Sequence, residues 1–311
     1  MLRAFLLIIV GLSGDPEHGE LFHKWGDSLV DAGDRLGIDE SRLIYLADRT
    51  SPDSKATARS SKVEVEKAFA TLAEAAGPDD LVYVVLFGHG SYDGRTARFN
   101  MPGPDMTAAD FDRQVSRLRS TQIVFVNTAS ASGPFIEELS GPGRTVVTAT
   151  RSGAEQYATL FGGYFVDGLG AESADADRNR RISVLEAFNF AKGEVLKAYE
   201  REGLLPIEHA LLDDDGDREG TPEPAATAAD GRVAAVLSLG STEAESLPSD
   251  PRVRALFLER RDLERQVESL RLLKDSMPAA RYTSELERLV TALALKTREL
   301  RTAEGAAPPQ P

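Results

Sequence analysis

Two short stretches carry the residues that could do chemistry. Leu81 to Gly94 reads LVYVVLFGHGSYDG and delivers His89 between Gly88 and Gly90. Thr121 to Phe135 reads TQIVFVNTASASGPF and delivers Ser130 in a loop of small residues that closes on Ser132 and Gly133. An imidazole titrates near neutrality and suits proton transfer, and glycine on both sides lets the backbone turn sharply and leaves room around the ring. A nucleophile at Ser130, a base at His89 and loop amides as an oxyanion site would form the triangle that acyl transfer requires. Read alone, His89 equally fits a structural histidine that hydrogen-bonds a loop.

The elements that must position these residues are apolar runs alternating with helical patterns. Phe5 to Val10, Leu43 to Leu46, Leu81 to Phe87, Gln122 to Val126 and Thr145 to Ala149 are continuously apolar rather than alternating. Strands buried on both faces have this character, so the fold class is α/β, a mostly parallel sheet flanked by helices. Ser61 followed by Glu64, and Thr107 followed by Asp110, are helix starts of the capping-box type. Open α/β sheets place their sites at the carboxyl ends of strands, where both His89 and Ser130 fall. Met1 to Gly11 is read as the first strand rather than a signal peptide, because its apolar run is short and no A-x-A site follows. Further on, RVAAVLSLG after Gly231 is a candidate strand.

Acidic loops supply the metal-ligating candidates. Asp175, Asp177 and Asn179 occupy the first ligand positions of an EF-hand-type loop, Arg181 would offer its carbonyl, and Glu186 would be the bidentate ligand. Arg180 stands where glycine normally makes the turn. The competing reading is an Asp-rich turn whose Ser183 and Glu186 cap the following helix, and the two readings are compatible. The run Asp213 to Glu219 is a second cluster of hard oxygen ligands, read as a solvated loop with a weak second metal site as the alternative. His18, His23 and His209 lack metal-ligand spacing, and His18 and His23 are expected to flank a turn.

From Asp250 onward Leu256, Leu263 and Leu270 recur at heptad spacing, as do Leu286, Leu293 and Leu300, with a break at Met277-Pro278. The expectation is an antiparallel helical hairpin, coiled-coil-like, for a protein partner or self-association, or one that closes on itself. The domains are then 1–240 for the α/β part, 241–249 for a linker, 250–304 for the hairpin and 305–311 for a disordered tail.

Composition narrows the function classes. A net charge of −14 argues against nucleic acid and anionic lipid as partners, and there is no candidate membrane span. With zero cysteines there is no disulfide, no thiolate metal site and no cysteine nucleophile. The sequence as it stands reads as cytoplasmic, or as exported if a signal lies upstream.

A strand ending in His-Gly, followed by a strand and a small-residue loop ending in Ser-Gly, resembles the caspase-like fold and in particular the legumain-like peptidases. The resemblance runs from about Ala4 to Gly220 and extends to GLSGDPEHGELFHKWGDSL and LLDDDGD, which look like bacterial relatives of that group. It implies that His89 matches the family's base, while Ser130 stands where the nucleophilic cysteine should be. The acidic neighbours of that cysteine are replaced by Thr128 and Ala131. A thiol near a histidine ionises readily, whereas a serine needs concerted proton removal by an oriented base, usually with a carboxylate behind it. Asp93 is the nearest candidate for that carboxylate. The favoured expectation is a pseudo-peptidase whose crevice binds a peptide or protein. The alternatives are an active endopeptidase or amidase using Ser130 and His89, and a calcium-responsive structural protein. No cofactor is required by any hydrolytic reading, and calcium is the one ion the acidic loop could take.

Overall fold

The computed structural model describes residues 3–50, 54–240 and 250–305. The expected linker and residues 306–311 of the expected tail lie outside the described residues. The chain divides into two compact units, 1–242 and 243–311.

The first unit begins with strand β1 (Ala4–Val10), helix α1 (Pro16–Arg35), strands β2 (Leu43–Ala47) and β3 (Ala58–Arg59), helix α2 (Lys62–Ala75) and strand β4 (Leu81–Phe87). Three short strands follow, β5 (Gly90–Tyr92), β6 (Ala97–Phe99) and β7 (Met106–Thr107). Then come α3 (Ala108–Val115), β8 (Gln122–Asn127), α4 (Phe135–Leu139), β9 (Arg144–Thr148), α5 (Phe161–Gly168), α6 (Val184–Arg201) and β10 (Leu211–Asp213). The main sheet has the order β10-β9-β8-β4-β1-β2-β3. Every pairing in it is parallel except β10 with β9. Strands β5, β6 and β7 form a small antiparallel sheet of their own. This is the mostly parallel, helix-flanked α/β architecture expected from the continuous apolar runs.

Alternation along each strand explains those runs. Leu6, Ile8, Tyr83, Val85, Val124 and Val126 face one layer, with Phe22, Trp25 and Leu29 of α1, Phe161 and Phe165 of α5 and Phe188 of α6. Phe5, Leu7, Val82, Val84, Ile123 and Phe125 face the other, with Phe69 of α2, Phe111 of α3 and Phe135 of α4. Both faces are covered, so neither parity of residue can be polar. The helix starts follow their sequence signals. Asp15 caps α1 with Pro16 in its first turn, Ser61 caps α2, and Thr107 with Asp110 forms a complete capping box on α3.

One expected strand is absent. RVAAVLSLG is a chain of turns whose ladder contact is a single bridge between Ser183 and Ser238. Ala234, Leu237 and Leu239 sink into the core beside α6, and the carbonyls of Ala234 and Leu237 receive the Leu185 and Val184 N–H groups. The apolar run closes off the start of a helix instead of extending the sheet.

The second unit is a helical hairpin of α7 (Pro251–Leu272) and α8 (Ala279–Gly305), joined through a 3-10 turn at Lys274–Ser276. Val267, Leu270 and Leu289 are buried together, with Leu263 and Leu286 against them. Lys296 reaches Glu259 at 2.7 Å, which sets the late part of α8 beside the early part of α7 and makes the pair antiparallel. Among the described residues no helix is long and apolar enough to cross a membrane.

Candidate active site

Strands β4 and β8 are neighbours in register, with Leu86 opposite Asn127, so the loops leaving their carboxyl ends emerge side by side. His89 is held by its backbone between two other segments. Its N–H donates to the Leu12 carbonyl at 3.4 Å and its carbonyl accepts from Asn100 at 3.0 Å. The flanking glycines serve close approach rather than a sharp turn, since neither Gly88 nor Gly90 has a positive φ. A Cβ on Gly90 would fall on the Ser130 carbonyl oxygen, and one on Gly88 would press the Phe99 ring at 3.0 Å. Gly133 has the same character, because a Cβ there would meet the backbone of Arg151 and Ser152.

Ser130 is 1% exposed. Its hydroxyl accepts the Gly90 N–H at 3.1 Å and donates to the Gly90 carbonyl at 3.2 Å. The rest of its loop is pinned in the same way. The Thr128 hydroxyl donates to the Leu86 carbonyl, the Ala129 N–H reaches Asn127 Oδ1, and the Ala131 N–H reaches the Glu155 carbonyl. Ser132 is buried and hydrogen-bonds Thr150, whose hydroxyl also accepts the Gly133 N–H. Ala131 sits at φ 53°, a left-handed conformation uncommon for a residue with a Cβ. That strain is maintained by the hydrogen bonds on either side of it.

The imidazole of His89 faces elsewhere. It lies edge-on to Phe22 with ring centroids 5.4 Å apart and to His18 at 5.2 Å, both on α1. No hydrogen bond joins it to the Ser130 hydroxyl. Burial lowers its pKa below the usual histidine value and the neighbouring His18 lowers it further, with the Ser13 backbone and Asp15 opposing. Burial and His18 thus both favour the neutral imidazole. His18 is itself fixed by Asp15, whose Oδ2 stands 2.7 Å from its Nδ1.

Two expectations need correcting. His18 and His23 do not flank a turn, because both lie on α1, where the Asp15 cap and Pro16 start a twenty-residue helix. Asp93 does not orient His89. Its carboxylate pairs with Arg98 at 2.8 Å and accepts the Arg95 and Thr96 N–H groups, which hold its pKa down to about 2. His23 and His209 have carboxylate partners at 2.7 Å, Asp48 and Glu155 respectively.

With the two strand ends and their residues in place, comparison with known families finds one match to part of the chain. Residues 61–204 match the Peptidase C13 family. The match is just under half of the chain, starts at the cap of α2 and contains His89 and Ser130, while β1, α1, β2 and β10 fall outside it. No curated protein matches the chain. A mostly parallel seven-stranded sheet with flanking helices is consistent with the caspase-like fold of Peptidase C13.

The acidic loop within the Peptidase C13 match is tightly tied. Asp175 accepts the Asn179 and Arg180 N–H groups, Asp177 accepts the Asn179 backbone and side-chain N–H groups, and Asn179 Oδ1 accepts the Arg181 N–H. Glu186 accepts from Ala176 and Asp177 with one oxygen and from the Ser183 N–H and hydroxyl with the other. The capping reading of Ser183 and Glu186 is thus realised in full. Arg180 takes φ 64°, the conformation a glycine would supply there. Carboxylate oxygens of Asp175, Asp177 and Glu186 come within 4.8 Å of one another.

Several residues around the two strand ends escaped the sequence reading. His18 and Asp15 are close to His89 only because β1 pairs with β4, which brings the start of α1 over the histidine. Glu155 supports the Ser130 loop through its carbonyl and holds Arg151 and His209 through its carboxylate. Asp15 followed by Pro16 was the one available signal, as a helix start just past the first strand.

Proposed function

We propose that this chain is a legumain-like peptidase homologue in which the dyad position performs no hydrolysis and the crevice at the strand ends binds a peptide or protein segment. What carries the reading is the Ser130 hydroxyl, buried and bonded to the main chain of Gly90 on both its donor and its acceptor side. Serine attack on a carbonyl needs the hydroxyl proton to pass to a base as the bond forms. Here that proton points to a carbonyl oxygen, the Gly90 N–H that could polarise a substrate is spent on the serine, and among the described residues no carboxylate pairs with His89. Ser130 replaces the family's cysteine, and a hydroxyl held this way cannot ionise as a thiol would.

In this reading His89, Gly88, Gly90, Ser132 and Gly133 are crevice walls, and the hairpin of α7 and α8 is a second interaction element. Leu273, Val290 and Leu295 on it are exposed apolar residues. The test is cleavage of a diverse peptide library by the full chain, with Ser130→Ala and His89→Ala beside it. Absence of turnover in all three, together with retention of a subset of library peptides, supports the proposal. Turnover lost in both variants establishes instead a serine endopeptidase or amidase.

A further inference from the structure

Asp213 closes β10 at the edge of the sheet, opposite Val146 of β9. Of the acidic run expected to be solvated, Asp215, Asp217 and Glu219 are exposed, but Asp213 is 0% exposed and Asp214 7%, and Asp230, 7% exposed, joins them from a later turn. Asp214 is fully used as a turn clamp, its oxygens accepting the Gly231 and Ala234 N–H groups. Asp213 is different. One oxygen accepts the Gly216 N–H, while Oδ2 is buried without a hydrogen-bond partner. A buried carboxylate oxygen left unpaired costs on the order of 1–3 kcal/mol, and more when charged. Around it, carboxylate oxygens of Asp213, Asp215 and Asp230 lie within 4.8 Å of one another.

We infer that Asp213, Asp215 and Asp230 hold a divalent cation of the calcium class. Calcium takes hard oxygen ligands at about 2.3–2.6 Å, so oxygens on opposite sides of one ion stand up to about 5 Å apart. The cluster lies within that limit, and magnesium, which demands near-ideal octahedral geometry and keeps several of its waters, is less suited to a set of protein carboxylates. Without a cation the three charges repel. The ion would supply the missing partner of Asp213 Oδ2 and tie together the end of β10, its following loop and the turn at Asp230. Gly216 in that loop rests on the backbone of Gly141, just ahead of β9, so the site sits at the amino ends of the parallel strands. His89 and Ser130 occupy the opposite ends, and the cation therefore braces the fold without touching the crevice.

The test is calorimetric titration of calcium, with magnesium as comparison, into the full chain stripped with chelator at about neutral pH. Asp215 is exposed, so Asp215→Asn probes the site without disturbing the core, and Asp230→Asn probes its buried side. Glu186→Gln serves as the control for the other acidic loop, and circular dichroism confirms the fold of each variant. The expected result is calcium binding that persists in Glu186→Gln and weakens at least about tenfold in both aspartate variants. Absence of calcium binding, unchanged affinity in both aspartate variants, loss confined to Glu186→Gln, or tighter binding of magnesium than calcium would each overturn the inference.

Discussion

The hydroxyl of Ser130 both accepts the Gly90 N–H and donates to the Gly90 carbonyl, at 3.1 and 3.2 Å. Ser130 is thus a cross-link between the loops that leave β4 and β8. Its neighbour in the other loop, His89, packs against His18 and Phe22 rather than against the hydroxyl.

Removing the cross-link should cost stability. Ser130→Ala loses two hydrogen bonds and leaves the Gly90 amide without its partner, a destabilisation of about 1–3 kcal/mol. Denaturant unfolding of wild type and variant measures it, and unchanged stability would mean the two bonds contribute nothing.

Gly90→Ala is the complementary change. The added methyl would overlap the Ser130 carbonyl, so the two loops must separate. Overpacking of this kind costs about 1–3 kcal/mol or more. The expected outcome is a lower melting temperature than that of Ser91→Ala next to it.

The His89 titration reports its surroundings. Burial and His18 both hold its pKa below the usual histidine value. Replacing His18 by alanine removes a positive neighbour and opens the ring to water, and both effects raise the midpoint. Proton NMR should show the His89 midpoint below the usual histidine value and moving upward in His18→Ala, and an unmoved midpoint would contradict this.

Glu208 makes a stability prediction with a definite sign. Its buried carboxylate accepts the Leu160 and Phe161 N–H groups at the start of α5, and burial raises its pKa to about 6 against an ordinary 4.5. A carboxyl with a raised pKa holds its proton more tightly in the folded state. Its contribution is therefore complete below the unfolded pKa and is lost as pH rises through about 6, a change of about 2 kcal/mol at most. Glu208→Gln should flatten the fall in stability over that window, and an unaltered pH profile would contradict the assignment.

How much of this was legible in the sequence follows from local physics. The core strands could be read because both faces of the sheet are covered, which makes runs such as LVYVVLF continuously apolar. Placing His89 and Ser130 together followed from parallel strands and the rule of carboxyl ends. The pairing of β1 with β4 could not be read, and with it went His18 over His89. Charge misled at Asp213 and Asp214, because buried aspartates look in sequence like any acidic turn. VAAVLSLG misled in the opposite sense, since apolar residues that pack around a helix start share the composition of a strand.

The central claim is that Ser130 is structural. The most direct measurement is labelling of the native full chain with a fluorophosphonate probe, which reacts with activated serines, followed by mass spectrometry of the peptide spanning Ser130 and by library cleavage on the same sample. The account predicts an unmodified Ser130 and no turnover. A covalent adduct on Ser130 that disappears in His89→Ala, accompanied by cleavage, would contradict it and make the chain a working serine peptidase.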